Sequence, residues 1–176
     1  MRKLAVTLVV LALGLMAVSA ASADAATATC ETSGTIKLSP GLSNTPQVQN
    51  VSVKGTLKNC SGEESSITGG KYVAHFKTEA VTCAVLTGAG APETESNIVF
   101  KWSPKGQGNS MGTFTLPVTE VAGASLGGLV ESGLFEGAAI SGSVSETYTG
   151  GAKCGVSEGK KAKKVEKGSF SGSLTV

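Results

Sequence analysis

The sequence predicts an all-β protein, either an antiparallel β-sandwich or a closed β-barrel of about eight or nine strands. A short unit recurs, in which a Gly, a Ser or Thr and an apolar residue follow one another: Gly34–Ile36, Gly55–Leu57, Gly112–Phe114, Gly142–Val144 and Gly172–Leu174. Side chains alternate between the faces of a strand, so each Gly shares a face with the apolar residues around it. After the first residues, no segment shows the 3.6-residue apolar spacing of a capped helix, so we expect little helix.

Residues 1–23 are predicted to be a secretory signal peptide rather than part of the fold. A positive start, Met1–Lys3, precedes an apolar run from Leu4 to Val18, and the small residues Ala21–Ala23 offer a cleavage site. The run has about 15 residues, fewer than the ~20 that a membrane-spanning helix needs. We therefore expect a secreted protein whose residues 24–176 form a single β-domain without a transmembrane segment.

Alternating apolar and polar residues predict the strands of this domain. In chain order they are Cys30–Leu38, Val48–Cys60, Ile67–Leu86 (one long bent strand or two), Ser96–Ser103, Met111–Val118, Leu126–Val130, Ala138–Tyr148 and Val165–Val176. Turn sequences such as Ser39–Gly41 and Pro104–Asn109 separate them. Pro117 has the outward parity of its strand and cannot donate to a ladder, so we expect that strand at a sheet edge.

The inward faces of these strands supply enough apolar side chains for one core. The set is Ile36, Leu38, Val51, Val53, Leu57, Tyr72, Phe76, Val81, Val85, Ile98, Phe100, Trp102, Phe114, Leu116, Val118, Ile140, Val144, Phe170, Leu174 and Val176. Inward glycines are costly, because a Gly in a strand loses more entropy and packs nothing. They either let coiled strands bend over the core or leave room for a ligand, and we favour bending.

The charge balance argues against a nucleic-acid partner. Loss of the signal peptide removes Lys3 and the only arginine, Arg2, and so reduces the 15 basic residues to 13, against 13 acidic ones. Nucleic-acid binders usually carry a basic surplus, with arginine for bidentate base contacts. We therefore expect no nucleic-acid binding.

Four cysteines are predicted to form two disulfides, because an even count in a small exported domain is typical of a disulfide framework. No pair has C-x-x-C spacing, and a single His leaves too few ligands for zinc, so we expect no metal and no cofactor. A meander places Cys30 and Cys60 at one end of the sheet and Cys83 at the other, which favours Cys30–Cys60 and Cys83–Cys154. Cys30 has inward parity and Cys60 outward, so their pairing needs a bulge or a frayed strand end.

The chain contains fragments of hydrolase patterns, but we predict that it is not an enzyme. Gly123–Gly127 matches the G-x-S-x-G pentapeptide around Ser125, yet no helix pattern follows and the only histidine, His75, precedes it. We interpret His75 as an exposed strand residue without a visible partner for general-base work. Glu93/Glu95 and Glu131/Glu136 could be paired as glycosidase carboxylates, but scattered glutamates are what a soluble β-surface contains.

Two segments are candidate surface contacts. Leu134 and Phe135 are adjacent, so Phe135 either plugs the open end of the core or stands with Leu134 as an exposed apolar tip; we favour the plug. The second segment could contact an anionic envelope polymer or lipid and contains Lys160, Lys161, Lys163 and Lys164. For these lysines we favour a solvated loop that protects an adjacent strand edge.

Several segments together carry a resemblance to known proteins: Ser33–Ile36, Ser39–Leu42, Gly55–Cys60, Glu131–Gly137 and Ser171–Leu174. They resemble the exported Gly/Thr-rich β-proteins of high-GC Gram-positive bacteria, and this resemblance implies export and a β-fold but no activity. We favour a non-catalytic secreted β-domain with a structural or surface-binding role, for which the cell envelope is a candidate partner. The alternatives are a β-barrel carrier of a small apolar ligand, which needs a cavity of ~300 Å³ or more, and a secreted hydrolase.

Overall fold

A computed structural model describes residues 27–88, 90, 93–158 and 161–176, with only the backbone described at 93–95, 157, 158, 161 and 162. The described residues form an all-β protein with essentially no helix beyond two short 3₁₀ turns, at Cys83–Leu86 and Gly151–Lys153. The strands are β1 (Ala28–Leu42), β2 (Gln47–Gly62), β3 (Gly69–Val81), β4 (Glu93–Ser103), β5 (Asn109–Thr115), β6 (Ala124–Gly133), β7 (Ala139–Tyr148), β8 (Ser157–Glu158), β9 (Lys161–Ala162) and β10 (Val165–Thr175). The predicted signal peptide, residues 1–23, lies outside the described residues.

The architecture is a closed antiparallel barrel, which decides between the two predicted alternatives. Each of β1 to β6 pairs with the next strand along the chain, and β10 pairs with both β7 and β1. The first and last strands close the barrel tightly: Ala28 N donates to Val176 O at 2.8 Å, and Val176 N donates to Ala28 O at 3.0 Å. The short strands β8 and β9 pair with each other in a separate two-stranded sheet.

Two predicted strands end earlier than expected. The strand predicted over Met111–Val118 ends at Thr115, so Pro117 lies beyond it and removes no ladder hydrogen bond. The segment predicted as one long strand or two is a single strand, β3, which ends at Val81. Thr82 then caps a 3₁₀ turn, and its Oγ1 accepts a hydrogen bond from Ala84 N at 3.3 Å.

The predicted inward residues form the core, and all of them are buried except Val85, which is half-buried. Tyr72 lies among the aromatic rings, with ring centroids 5.6 Å from Phe100, 6.1 Å from Phe114 and 6.4 Å from Phe170. Its buried hydroxyl lies 2.9 Å from Thr32 Oγ1. An eight-stranded barrel has an interior just wide enough for side chains to fill, which fits this ring cluster.

The inward glycines have two structural uses. Several stand directly opposite an aromatic residue on the neighbouring strand: Gly34 with Phe170, Gly55 with Tyr72, Gly70 with Trp102, Gly128 with Phe114 and Gly168 with Tyr148. A Cβ added at Gly34 or Gly55 would overlap the facing ring, so each of these notches holds a ring. At Gly112 and Gly142 a Cβ would instead overlap a carbonyl oxygen of the neighbouring strand, so these positions permit close strand approach.

Substitution of Gly55 should therefore be costly although the new side chain is only a methyl group. We expect Gly55→Ala to lower the free energy of unfolding by about 2 kcal/mol, because the methyl displaces the Tyr72 ring from a packed core. Gly88→Ala is the matched control, since a Cβ there meets only Ala84 O at 3.4 Å. Urea unfolding measures the stability of both variants. Equal stability of the two would contradict the interpretation that the space at Gly55 accommodates the Tyr72 ring.

The structure contains both disulfides, in the pairing that the sequence favoured. Cys30 and Cys60 have a Cα–Cα distance of 4.1 Å, and Cys83 and Cys154 one of 5.7 Å. The bulge that the first pair requires is present, because the β1–β2 register shifts between Thr29 and Glu31. The two bridges lie at opposite ends of the barrel, which we name the Trp102 end (Cys30–Cys60) and the Glu146 end (Cys83–Cys154).

Candidate functional surface

The residues of the hydrolase-like pattern lie on the outer wall and are not brought together. Ser125 is exposed on β6, in register with Ser143, and its strand continues to Gly133 instead of turning into a helix. His75 is exposed on β3, in register with Ser52 and Asn97. Because β4 and β5 separate the two strands, Ser125 and His75 are three strand spacings apart, roughly 14 Å across the sheet. They are also offset along the strands, since His75 is level with Leu129 rather than with Ser125. The pentapeptide therefore lacks the strand–turn–helix geometry of a nucleophile elbow.

The sequence interpretation placed all the glutamates on the surface, but the structure buries one of them. Glu131 and Glu136 are exposed, and the side chains of Glu93 and Glu95 lie outside the described residues. Glu146, in contrast, is only 4% exposed and points into the Glu146 end of the barrel. A signal for this was present in the sequence, because Glu146 shares the inward parity of Val144.

Glu146 belongs to a small buried polar cluster. Its Oε2 accepts hydrogen bonds from the Tyr148 hydroxyl at 2.7 Å and from Thr119 N at 3.2 Å. Its Oε1 is buried and has no hydrogen-bond partner among the described residues. Burial raises the pKa of Glu146 to about 7, because the ionised form is poorly solvated and the two hydrogen bonds offset only part of that cost. Burial and the nearby Glu146 carboxylate also raise the pKa of Tyr148.

The raised pKa of Glu146 predicts a pH-dependent stability. In the unfolded chain this carboxyl ionises near its ordinary value of 4.5, whereas in the barrel it stays protonated up to about pH 7. The free energy of unfolding is therefore higher at acid pH, and the contribution of Glu146 to it decreases as the pH rises from about 4.5 to 7. We expect Glu146→Gln to raise the free energy of unfolding by about 3 kcal/mol at pH 8 and hardly at all at pH 4. Urea unfolding at both pH values measures this.

Glu131→Gln is the control for that prediction, since Glu131 is exposed on the neighbouring strand β6. It should change stability little at either pH. A Glu146→Gln variant whose stability relative to the parent is the same at pH 4 and pH 8 would show that Glu146 does not titrate in this window.

The structure corrects the idea of an exposed Leu134/Phe135 tip. Phe135 is 7% exposed and packs edge-on against Trp102, with ring centroids 5.0 Å apart, so it plugs the Trp102 end. Leu134 is half-buried. Ser110 links Trp102 to the segment that carries Phe135. Trp102 Nε1 donates to Ser110 Oγ at 2.9 Å, and Ser110 Oγ donates to Leu134 O. Phe135 is therefore not available as a surface contact.

The lysine cluster lies only partly within the described residues. Lys163 and Lys164 are exposed, whereas Lys160 and the side chain of Lys161 lie outside the described part. The cluster precedes β10, which is paired on both sides. β10 therefore has no free edge for the lysines to protect, but Lys161 itself lies on β9, which pairs only with β8 in the separate two-stranded sheet. Edge protection and envelope contact by the cluster stay predictions.

A different set of lysines lines a groove on the outer wall at the Trp102 end. The groove has a volume of about 470 Å³ and is lined by Lys71, Lys101, Trp102, Ser103, Lys105, Gly106, Gly108 and Asn109. Lys71 on β3 stands directly opposite Lys101 on β4, and Lys101 stands opposite Asn109 on β5. None of the described lining residues is acidic. We name this feature the basic groove. Seven of its lining residues lie in the segment 101–109, but only the register between β3 and β4 brings Lys71 beside Lys101, and the sequence does not show that register.

The opposite wall of the barrel is uncharged over most of its area and carries hydroxyl groups. The outward residues of β1, β7 and β10 stand in register across these three strands: Ser33, Thr35, Ser141, Ser143, Ser145, Thr147, Ser169, Ser171 and Ser173. All are exposed. Sheet geometry spaces them by roughly 4.8 Å across the strands and 6.8 Å along them. This hydroxyl wall can donate and accept hydrogen bonds without the desolvation cost of a charge.

The geometry thus defines a class: a small, closed, eight-stranded antiparallel barrel with an apolar interior, a disulfide at each end and polar chemistry on the outer wall. No protein-family model, no curated protein and no solved structure matches the chain. Within the part of the chain that the structure describes, no helix has the length and apolarity to cross a membrane. The two disulfides are compatible with an extracellular protein, because such bridges persist in oxidising surroundings.

Proposed function

We propose that this protein is a non-catalytic extracellular barrel that binds a component of the cell envelope through its outer wall. The observation that carries the proposal is the division between interior and surface. Aromatic rings occupy the notches at Gly34 and Gly55 that would otherwise offer space to an apolar ligand. The basic groove and the hydroxyl wall, which are able to bind polar ligands, both face solvent.

The conformation of the barrel also favours a role as a rigid scaffold. The chain closes on itself through β1 and β10, and a disulfide fastens each end. A closed sheet presents no edge to other chains, so it resists strand-mediated aggregation outside the cell. Binding by side chains on such a wall needs no conformational change.

Sedimentation with insoluble cell-wall material from a high-GC Gram-positive bacterium tests the proposal. We expect the oxidised protein to enter the pellet at low salt and to leave it as salt rises, because exposed charges are screened. Reduced and alkylated protein is the control for folding and should remain in the supernatant. If the oxidised protein also stays in the supernatant, the proposed function is wrong.

Two further measurements distinguish the proposed function from a carrier of a small apolar ligand and from a hydrolase. Native mass spectrometry of the purified protein should detect no stoichiometric small apolar molecule; its detection would support a carrier. Ester, amide and glycoside substrates should be turned over no faster than in buffer. A hydrolysis that Ser125→Ala or His75→Ala abolishes would show that the protein is an enzyme.

A further inference from the structure

We propose that the basic groove is the binding site for a linear phosphate-bearing polymer. This inference rests on the proposed surface function and assigns its site and ligand chemistry. It starts from the pair of Lys71 and Lys101, which stand directly opposite each other on β3 and β4. Like charges in this arrangement destabilise a sheet, because the Cβ atoms are only about 5 Å apart. An anion lying between the two ammonium groups converts this repulsion into binding.

A second directly opposed lysine pair shows what distinguishes the groove. Lys37 on β1 stands opposite Lys167 on β10. The shallow groove beside that pair is lined by Thr149, Lys164, Lys167 and an acidic residue, Glu166. The basic groove has a third lysine, Lys105, and no acidic residue among its described lining. Of the grooves beside the two opposed lysine pairs, only the basic groove therefore combines three lysines with a described lining free of acidic residues.

The chemistry of the cations fits a phosphate ligand. All three are lysines, whose compact ammonium groups bind phosphate oxygens as point charges. Asn109 adds an amide that can donate to a further oxygen. At Gly106 and Gly108 an added Cβ would meet nothing within 4 Å, so the loop leaves the groove open from above.

The shape of the groove favours a polymer over a single ion or a flat lipid surface. It extends across β3, β4 and β5, which is roughly 10 Å of sheet. A single phosphate group is shorter than this distance. Its described lining includes no exposed large apolar side chain, since Trp102 is 5% exposed, whereas insertion into a lipid interface needs such groups. For the same reason it offers no exposed ring on which a nucleic-acid base could stack.

Trp102 makes the groove directly observable, because it is the only tryptophan of the chain and lines the groove. We would titrate the oxidised protein with linear polyphosphate and follow both calorimetric binding and Trp102 emission. Lys71→Ala/Lys101→Ala should weaken binding at least tenfold and abolish the emission change. Lys37→Ala/Lys167→Ala removes the same charge from the other opposed pair and should weaken binding less than threefold. Urea unfolding of each variant confirms that its fold is intact.

Several results would overturn the proposal. Equal weakening by the two double variants would mean general charge attraction rather than a site in the basic groove. Binding to vesicles of phosphatidylglycerol and phosphatidylcholine, but not to polyphosphate, would make the groove a lipid contact. Oligothymidylate bound as tightly as polyphosphate would indicate a nucleic-acid site. If parent and Lys71→Ala/Lys101→Ala sediment equally with cell-wall material, the groove assignment fails while the surface function stands.

Discussion

Removal of the Cys83–Cys154 disulfide should lower the free energy of unfolding by about 4.4 kcal/mol, the largest effect that we expect from any one change. The bridge joins residues 71 positions apart, so in the unfolded chain it closes a long loop and reduces its conformational entropy. In the barrel it ties the segment after β3 to the segment after β7, next to the buried Glu146 cluster. Urea unfolding of Cys83→Ser/Cys154→Ser measures the loss.

The second disulfide supplies the control for the first. Cys30–Cys60 spans 30 positions and closes a shorter loop, so Cys30→Ser/Cys60→Ser should lose slightly less stability, about 3.7 kcal/mol. The denaturant slope should rise in both variants, because the unfolded chain becomes more expanded. Loss of stability without any change of slope would show that the bridges act on the folded barrel rather than on the unfolded chain.

Phe135→Ala should lower the free energy of unfolding by about 4 kcal/mol, because a buried ring is removed from the Trp102 end and a cavity remains. Phe135 has φ +67°, a left-handed conformation that costs a residue with a Cβ about 1–2 kcal/mol. The packing of its ring against Trp102 outweighs that cost. Trp102 emission should also shift to the red in the variant, since water reaches the indole.

Two companion variants separate packing from backbone strain. Phe135→Gly should lose about 1 kcal/mol less than Phe135→Ala, because Gly adopts a positive φ freely. Leu134→Ala should lose clearly less than Phe135→Ala, because its side chain is half-buried. If Leu134→Ala and Phe135→Ala were equally stable, Phe135 would not be the plug.

The sequence alone was sufficient for those features that depend on alternation along one strand. Alternation placed the core residues from Ile36 to Val176 on inward faces, and it marked the parity conflict between Cys30 and Cys60 that a bulge resolves. It also showed that the adjacent residues Leu134 and Phe135 cannot point to the same face of a strand. These are local properties, because successive side chains on any strand point to opposite faces whatever the neighbouring strand is.

Only the tertiary structure decided the features that depend on register between strands. Barrel closure needs β1 to meet β10 from the far end of the chain. The edge predicted for the strand before Pro117 is absent because β5 pairs with both β4 and β6. Gly55 with Tyr72, and Lys71 with Lys101, are likewise cross-strand pairs. Register depends on turn lengths and bulges, and a shift of one residue changes every pair on a strand. No pattern within a single segment therefore contains this information.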